Sequence, residues 1–127
     1  MRPATLLIIA LVLPASALAQ PSSAPLTPAA AAKKIDQKVT VQMEVKSSGG
    51  NSNRYLNSTT DYKDSSTFTI YIPEVSVAKF KQSLSADPST YYKGKTIVVT
   101  GTVALYKDKP QITVDEPTQI KVVPRQP

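Results

Sequence analysis

The sequence predicts an all-β fold: a five-stranded Greek-key barrel with one helix between the third and fourth strands. A signal peptide and a Pro/Ala-rich linker are expected to precede it. Three observations carry this reading. Apolar and polar residues alternate over 38–46, 67–72 and 95–106, the period of half-buried strands. The period turns helical only once, over 75–84. Turn-forming clusters of Gly, Asn, Asp, Ser and Pro separate these segments.

The elements follow in order. Arg2 precedes an unbroken apolar run from Leu6 to Leu13, and Ala17-Leu18-Ala19 follows a Pro14 break. This is the order of a secretory signal peptide, with cleavage expected between Ala19 and Gln20. The run is too short for a spanning helix, which needs roughly 20 residues. Residues 20–34 are mostly Pro, Ala, Ser and Thr and read as a disordered linker, unless Ala29 to Lys34 begin a short helix. The domain then spans 35–123, and 124–127 form a tail. In the first strand Val39, Val41, Met43 and Val45 point inward. Ser47 to Asn53, with two glycines, form a loop. Arg54-Tyr55-Leu56-Asn57 is a short second strand. In the third, Phe68, Ile70 and Ile72 point inward, with Thr67, Thr69 and Tyr71 outward, and Pro73 stops it. Val77, Phe80 and Leu84 share one face of the helix. The fourth and longest strand turns Ile97, Val99, Gly101, Val103 and Leu105 inward, and mid-strand Gly101 predicts a bend or bulge. Lys107 to Pro110 make a hairpin turn into the fifth strand, where Ile112 and Val114 point inward. Ile120, Val122 and Val123 add a last extended segment. A generic five-stranded sheet is the structural alternative.

Composition narrows the chemistry. The chain has 127 residues, and histidine, cysteine and tryptophan are all absent. That excludes a disulfide, a Cys/His zinc site, a thiol nucleophile, a Ser-His-Asp triad and a histidine base. No spacing announces a convergent acid–base pair, so no catalytic residue, cofactor or metal is expected. Asp61-x-x-Asp64 offers oxygen ligands to a cation in principle, but two carboxylates in such a turn read better as turn-formers. Basic residues outnumber acidic ones 15 to 9, a formal charge of +6, which suits a polyanion partner. An exported domain without disulfides fits a bacterial periplasm or cell exterior.

The segment Tyr92-Lys93-Gly94-Lys95-Thr96-Ile97-Val98-Val99-Thr100-Gly101-Thr102-Val103 runs on to Tyr106-Lys107-Asp108-Lys109-Pro110-Gln111-Ile112. It resembles the "y-x-G-k-x-v-x-v-t-G-x-v … y-x-g-x-p-q-I" pattern of OB-fold nucleic-acid-binding domains. Tyr55-Leu56-Asn57 and Phe68-Thr69-Ile70-Tyr71-Ile72 resemble the second and third strands of those domains. The turn that carries a glycine in the family has Asp108-Lys109 here. The resemblance covers about 35–123 and implies a binding surface on the outer face of strands two and three with their flanking loops. Alternation puts Tyr55, Asn57, Thr69 and Tyr71 on that face. Arg54 ends one flanking loop, and Lys107 and Lys109 lie in the other. Tyrosines offer stacking faces for bases and the cations track phosphates. The expected partner is therefore single-stranded nucleic acid or another polyanion. A protein- or oligosaccharide-interaction module of the cell envelope is the first alternative. A small structural envelope protein with no ligand is the second. In either, the same tyrosines and lysines are ordinary strand-surface residues.

Overall fold

The computed structural model describes residues 24–124. The expected leader over 1–19 and residues 125–127 lie outside the described residues. Seven strands form one sheet: β1 (Lys38–Glu44), β2 (Ser47–Gly49), β3 (Arg54–Asn57), β4 (Thr69–Ile72), β5 (Thr96–Tyr106), β6 (Lys109–Thr113) and β7 (Ile120–Val122). The helices are α1 (Pro28–Ala31), α2 (Glu74–Leu84) and α3 (Pro88–Tyr92), with one 3₁₀ turn at Pro117–Gln119. Among the described residues no helix is long and apolar enough to cross a membrane.

The strands run β1-β5-β6-β4-β3-β2, with β7 added beside β5. All pairings are antiparallel except β4 with β6. Five strands were expected. The expected loop over Ser47 to Asn53 begins instead as β2, because the chain runs on from β1 through a bend and changes partners there. Val45 N–H donates to Lys95 O, continuing the β5 side, while Lys46 N–H donates to Asn57 O on the β3 side (2.9 Å each). Both ends of the strand path thus belong to one segment, and the sheet curls round on itself. The expected last extended segment is β7, which pairs with β5 from Ile97 to Val99. The chain has an OB-like fold: a curled, mostly β sheet with one main helix between its third and fourth long strand segments.

The alternation holds in the core. Val41, Val45, Leu56, Ile70, Ile72, Ile97, Val99, Val103 and Ile112 are fully buried. Leu105 departs from it and is 56 % exposed, because β5 runs beyond the core into the hairpin. Thr67, expected outward, is buried, and its hydroxyl bonds that of Thr59 at 2.6 Å. Gly101 is required by packing: a Cβ there would lie 2.4 Å from Ile112 Cγ2. Helix α2 buries Val77 and Phe80, with Leu84 packed against the core. Its first N–H, from Glu74, donates to Asn53 Oδ1 (3.0 Å) and so is capped from the β2–β3 loop. Helix α3 was not expected. Asp87 caps it by accepting from Ser89 N–H at 2.9 Å, and Tyr92 packs edge-on to Phe80 with centroids 6.5 Å apart. Burial pushes the Tyr92 phenol up to about 12.

The Pro/Ala-rich stretch expected to be a disordered linker belongs to the fold from Ala24 onward. Leu26 N–H donates to Thr40 O (2.8 Å) and Gln42 N–H donates to Leu26 O (2.9 Å), a parallel bridge on the edge of β1 that β5 leaves free. Thr27 Oγ1 accepts from Ala30 N–H and caps α1, which opens on Pro28. Ala31 is fully buried, with Leu26, Ala32 and Ile35 packed against the same core. An unpaired strand edge attracts any extended segment, and small side chains let this one approach closely.

Candidate functional site

Strand register builds the outer face of β3, β4 and β6. Tyr55 lies opposite Tyr71 and Asn57 opposite Thr69. Beyond them Tyr71 neighbours Thr113, and Thr69 neighbours Gln111. The rings of Tyr55 and Tyr71 tilt at 40° with centroids 5.4 Å apart. Tyr55 is 36 % exposed and Tyr71 is half-buried. The Tyr71 phenol is raised above its ordinary value, first by burial and then by the nearby Tyr55, Tyr106 and Glu74 charges.

Four expected site residues keep a free or partly free aspect: Tyr55, Tyr71, Lys107 and Lys109. Lys107 is exposed, with its Nζ 5.4 Å from the Tyr106 ring centroid. Lys109 donates to the carbonyl of Tyr62 (2.6 Å), which draws the β3–β4 loop against the β5–β6 hairpin. Three carboxylates share this end of the face with Lys63, Lys107 and Lys109. Asp61 and Asp64 act as turn-formers: Asp61 Oδ1 accepts from Lys63 N–H, and Asp64 Oδ1 accepts from Ser66 N–H. The third, Asp108, sits in the hairpin turn itself. Among the described residues no group of three or more metal-ligating side chains occurs.

The other three expected contacts are engaged inside the protein. Arg54 is only 9 % exposed. Its Nε and Nη2 clamp the Asp87 carboxylate at 2.9 and 2.7 Å, and its Nη1 donates to the carbonyls of Asn51, Ser52 and Asn53. The guanidinium therefore organises the loop in place of reaching outward. The same bonds hold the Asp87 carboxyl far below the usual carboxylate range, with burial opposing them. Asn57 is 6 % exposed: Thr69 Oγ1 donates to its Oδ1 (2.9 Å), and its Nδ2 donates to Ser47 Oγ (3.3 Å). Ser47 Oγ in turn donates to Thr59 O (2.7 Å). This chain of bonds crosses β4, β3 and β2 and fixes the sheet surface beneath the tyrosines.

Two tyrosines join the face unannounced. Tyr106, 56 % exposed, stands opposite Lys109. Its outward parity, shared with Thr100, Thr102 and Ala104, is the signal in the sequence that points to it. Tyr62 is exposed in the β3–β4 loop, where no periodicity points to it. The face as a whole offers flat rings, neutral hydroxyl and amide groups, and ammonium groups among carboxylates.

No protein-family model matches the chain, and no curated protein matches it in sequence. Solved structures do match in fold. An OBody bound to hen egg-white lysozyme superposes with a TM-score of 0.55 at 14 % identity, covering 83 % of this chain and 100 % of its own. Asparaginyl-tRNA synthetase from Pyrococcus horikoshii gives a TM-score of 0.53 at 11 % identity over 78 % of this chain. This chain spans 23 % of the synthetase.

Proposed function

We propose that this protein is an exported binding module and not an enzyme, taking single-stranded nucleic acid or another oligoanion on the outer face of β3 and β4. The observation that supports it most is the gathering of Tyr55, Tyr71 and Tyr106 on one sheet surface beside Lys107 and Lys109. Such rings stack bases irrespective of sequence, each worth about 1–3 kcal/mol. The fold itself does not choose the ligand. Of the two structural neighbours described above, one is a tRNA synthetase and the other was solved bound to a protein.

Fluorescence anisotropy with a labelled oligo-dT, scanned over salt, tests the reading. Tyr71→Ala is expected to weaken binding by about 1–3 kcal/mol at every salt concentration, because stacking is not a counterion effect. Lys107→Ala is expected to flatten the log–log salt dependence by about 0.7, one phosphate contact for a single strand. Absence of binding by the wild type at low salt overturns the proposal. Export is tested separately: the mature protein is expected to begin at Gln20, so the intact mass of secreted material should lack residues 1–19. Retention of the full chain in carbonate-washed membranes contradicts that.

A second reading, a protein or oligosaccharide ligand on the same face, draws on the electrostatics. Arg54 is engaged with Asp87, and Asp61, Asp64 and Asp108 lie in the same loop and hairpin as Lys63, Lys107 and Lys109. Binding to a peptide or glycan that does not weaken with salt would favour it.

A further inference from the structure

Beside the tyrosine face, two grooves meet at Lys38. The larger, of about 570 Å³, crosses the outer side of β5 at Gly101 and is lined by Lys38, Thr100, Thr102, Thr113 and Gln119. The smaller, of about 400 Å³, runs beside the N-terminal segment and is lined by Leu26, Lys34, Gln37, Lys38 and Thr40. No carboxylate lines either groove. Among the described residues neither Lys34 nor Lys38 takes part in an ion pair. The side chains around them divide into engaged and free. Thr100 shares a hydroxyl contact with Thr40 (3.0 Å). The Gln119 carboxamide donates to Thr100 O and accepts from the N–H groups of Asp115 and Glu116. The exposed Thr102 and Thr113 hydroxyls have no side-chain hydrogen bond among the described residues. Of the carboxylates nearest in sequence, Glu116 is paired with Lys79 at 2.5 Å, Asp115 accepts from Ser76, and Asp36 lies outside both grooves.

Concave surface with cations and no counter-charge concentrates positive potential. Two ammonium groups four residues apart, with unengaged hydroxyl donors, suit an acceptor-only ligand that carries successive charges. We propose that the grooves joined at Lys38 bind a linear chain of phosphates, with Lys34 and Lys38 as the cations and Thr102 and Thr113 as neutral donors. The site does not depend on what the tyrosine face takes. It does abut that face, because Thr113 is the register neighbour of Tyr71. The phosphates belong either to a bound oligonucleotide or to a free oligophosphate.

Sodium tripolyphosphate titrated into the whole chain at low ionic strength, followed by amide chemical shifts, tests the site. Shifts are expected over 34–40 and 100–104. The double variant Lys34→Gln/Lys38→Gln should bind about tenfold more weakly, the loss expected from charge-assisted contacts. Lys33→Gln, an exposed neighbour that lines neither groove, should bind as wild type. Oligo-dT that displaces tripolyphosphate identifies the phosphates as those of a strand, and oligo-dT that does not displace it identifies a free oligophosphate. The proposal is overturned if no shifts occur, if they centre on Lys107 and Lys109, or if the double variant binds unchanged. Failure of oligo-dT to bind the wild type at all overturns the tyrosine-face reading and leaves this result standing.

Discussion

Among the described residues, Arg54 and Asp87 form the more buried of the two ion pairs. Their clamp joins the β2–β3 loop to the start of α3, and Asp87 also accepts from Ser89 N–H and Oγ. Removing one partner strands the other in a largely buried position. Asp87→Asn is therefore expected to cost about 2–3 kcal/mol, read from urea melts at neutral pH. The pH dependence has a definite sign. The folded-state value of Asp87 is depressed below its ordinary 3.8, so its stabilisation is complete above that value and is lost as pH falls through the folded one. Wild type should lose stability between about pH 4 and pH 2 more steeply than Asp87→Asn. Parallel acid profiles would show that the clamp carries no proton linkage. The sequence could not reveal this pair. Arg54 ends a loop beside a tyrosine and reads as a free cation, while its partner lies 33 residues away across the fold. Asn57 misleads in the same way: alternation correctly gives its face, but only the cross-strand bonds from Thr69 and to Ser47 show that it is covered.

The β5–β6 hairpin shows how far an element can be read from its pattern. Its position and its Tyr-Lys-Asp-Lys-Pro turn were legible, because the alternation breaks there and resumes in β6. Its strain was not. Lys107 and Asp108 both hold positive φ, 51° and 66°, as a two-residue type I′ turn demands. Asn and Gly serve that turn best, and neither is present. Asp108→Gly is expected to stabilise the domain by up to about 1 kcal/mol, visible as a rise in thermal midpoint. A drop would mean that the Asp108 side chain contributes more than its backbone costs. Strands with long alternation and α2 with its apolar face were likewise legible. The three-residue strand β2 and the five-residue α3 were not. Segments that short have no period to detect, and their form comes from the neighbours they pair with or cap.

For the molecule as a whole, the inner faces of the sheet set its stability. Ile70→Ala or Val99→Ala, each at a fully buried position, should cost about 2–4 kcal/mol by lost transfer energy and the cavity left behind. Thr69→Ala, on the outer face, should cost about 1–2 kcal/mol, because it leaves Asn57 Oδ1 without a partner. Equal losses in denaturant melts would mean that the assigned strand faces are wrong. The N-terminal segment was the largest misreading at this scale. Its composition is that of a linker, and only the free edge of β1 and the burial of Ala31 in the core make it part of the domain.

The bent first strand also has a kinetic side. Thr40 meets Thr100 sixty residues along the chain, so the sheet cannot close until the middle of β5 has found β1. Local contacts within α2 form in about microseconds, but they do nothing to shorten that search. A topology dominated by such distant pairings belongs among slow folders, in the range of about milliseconds to seconds. Throughout that interval the apolar residues of β1 and β5 have no partner. The hazard of aggregation therefore lies in the journey to the native state, and a ligand that recognises only the finished surface slows unfolding without hastening arrival.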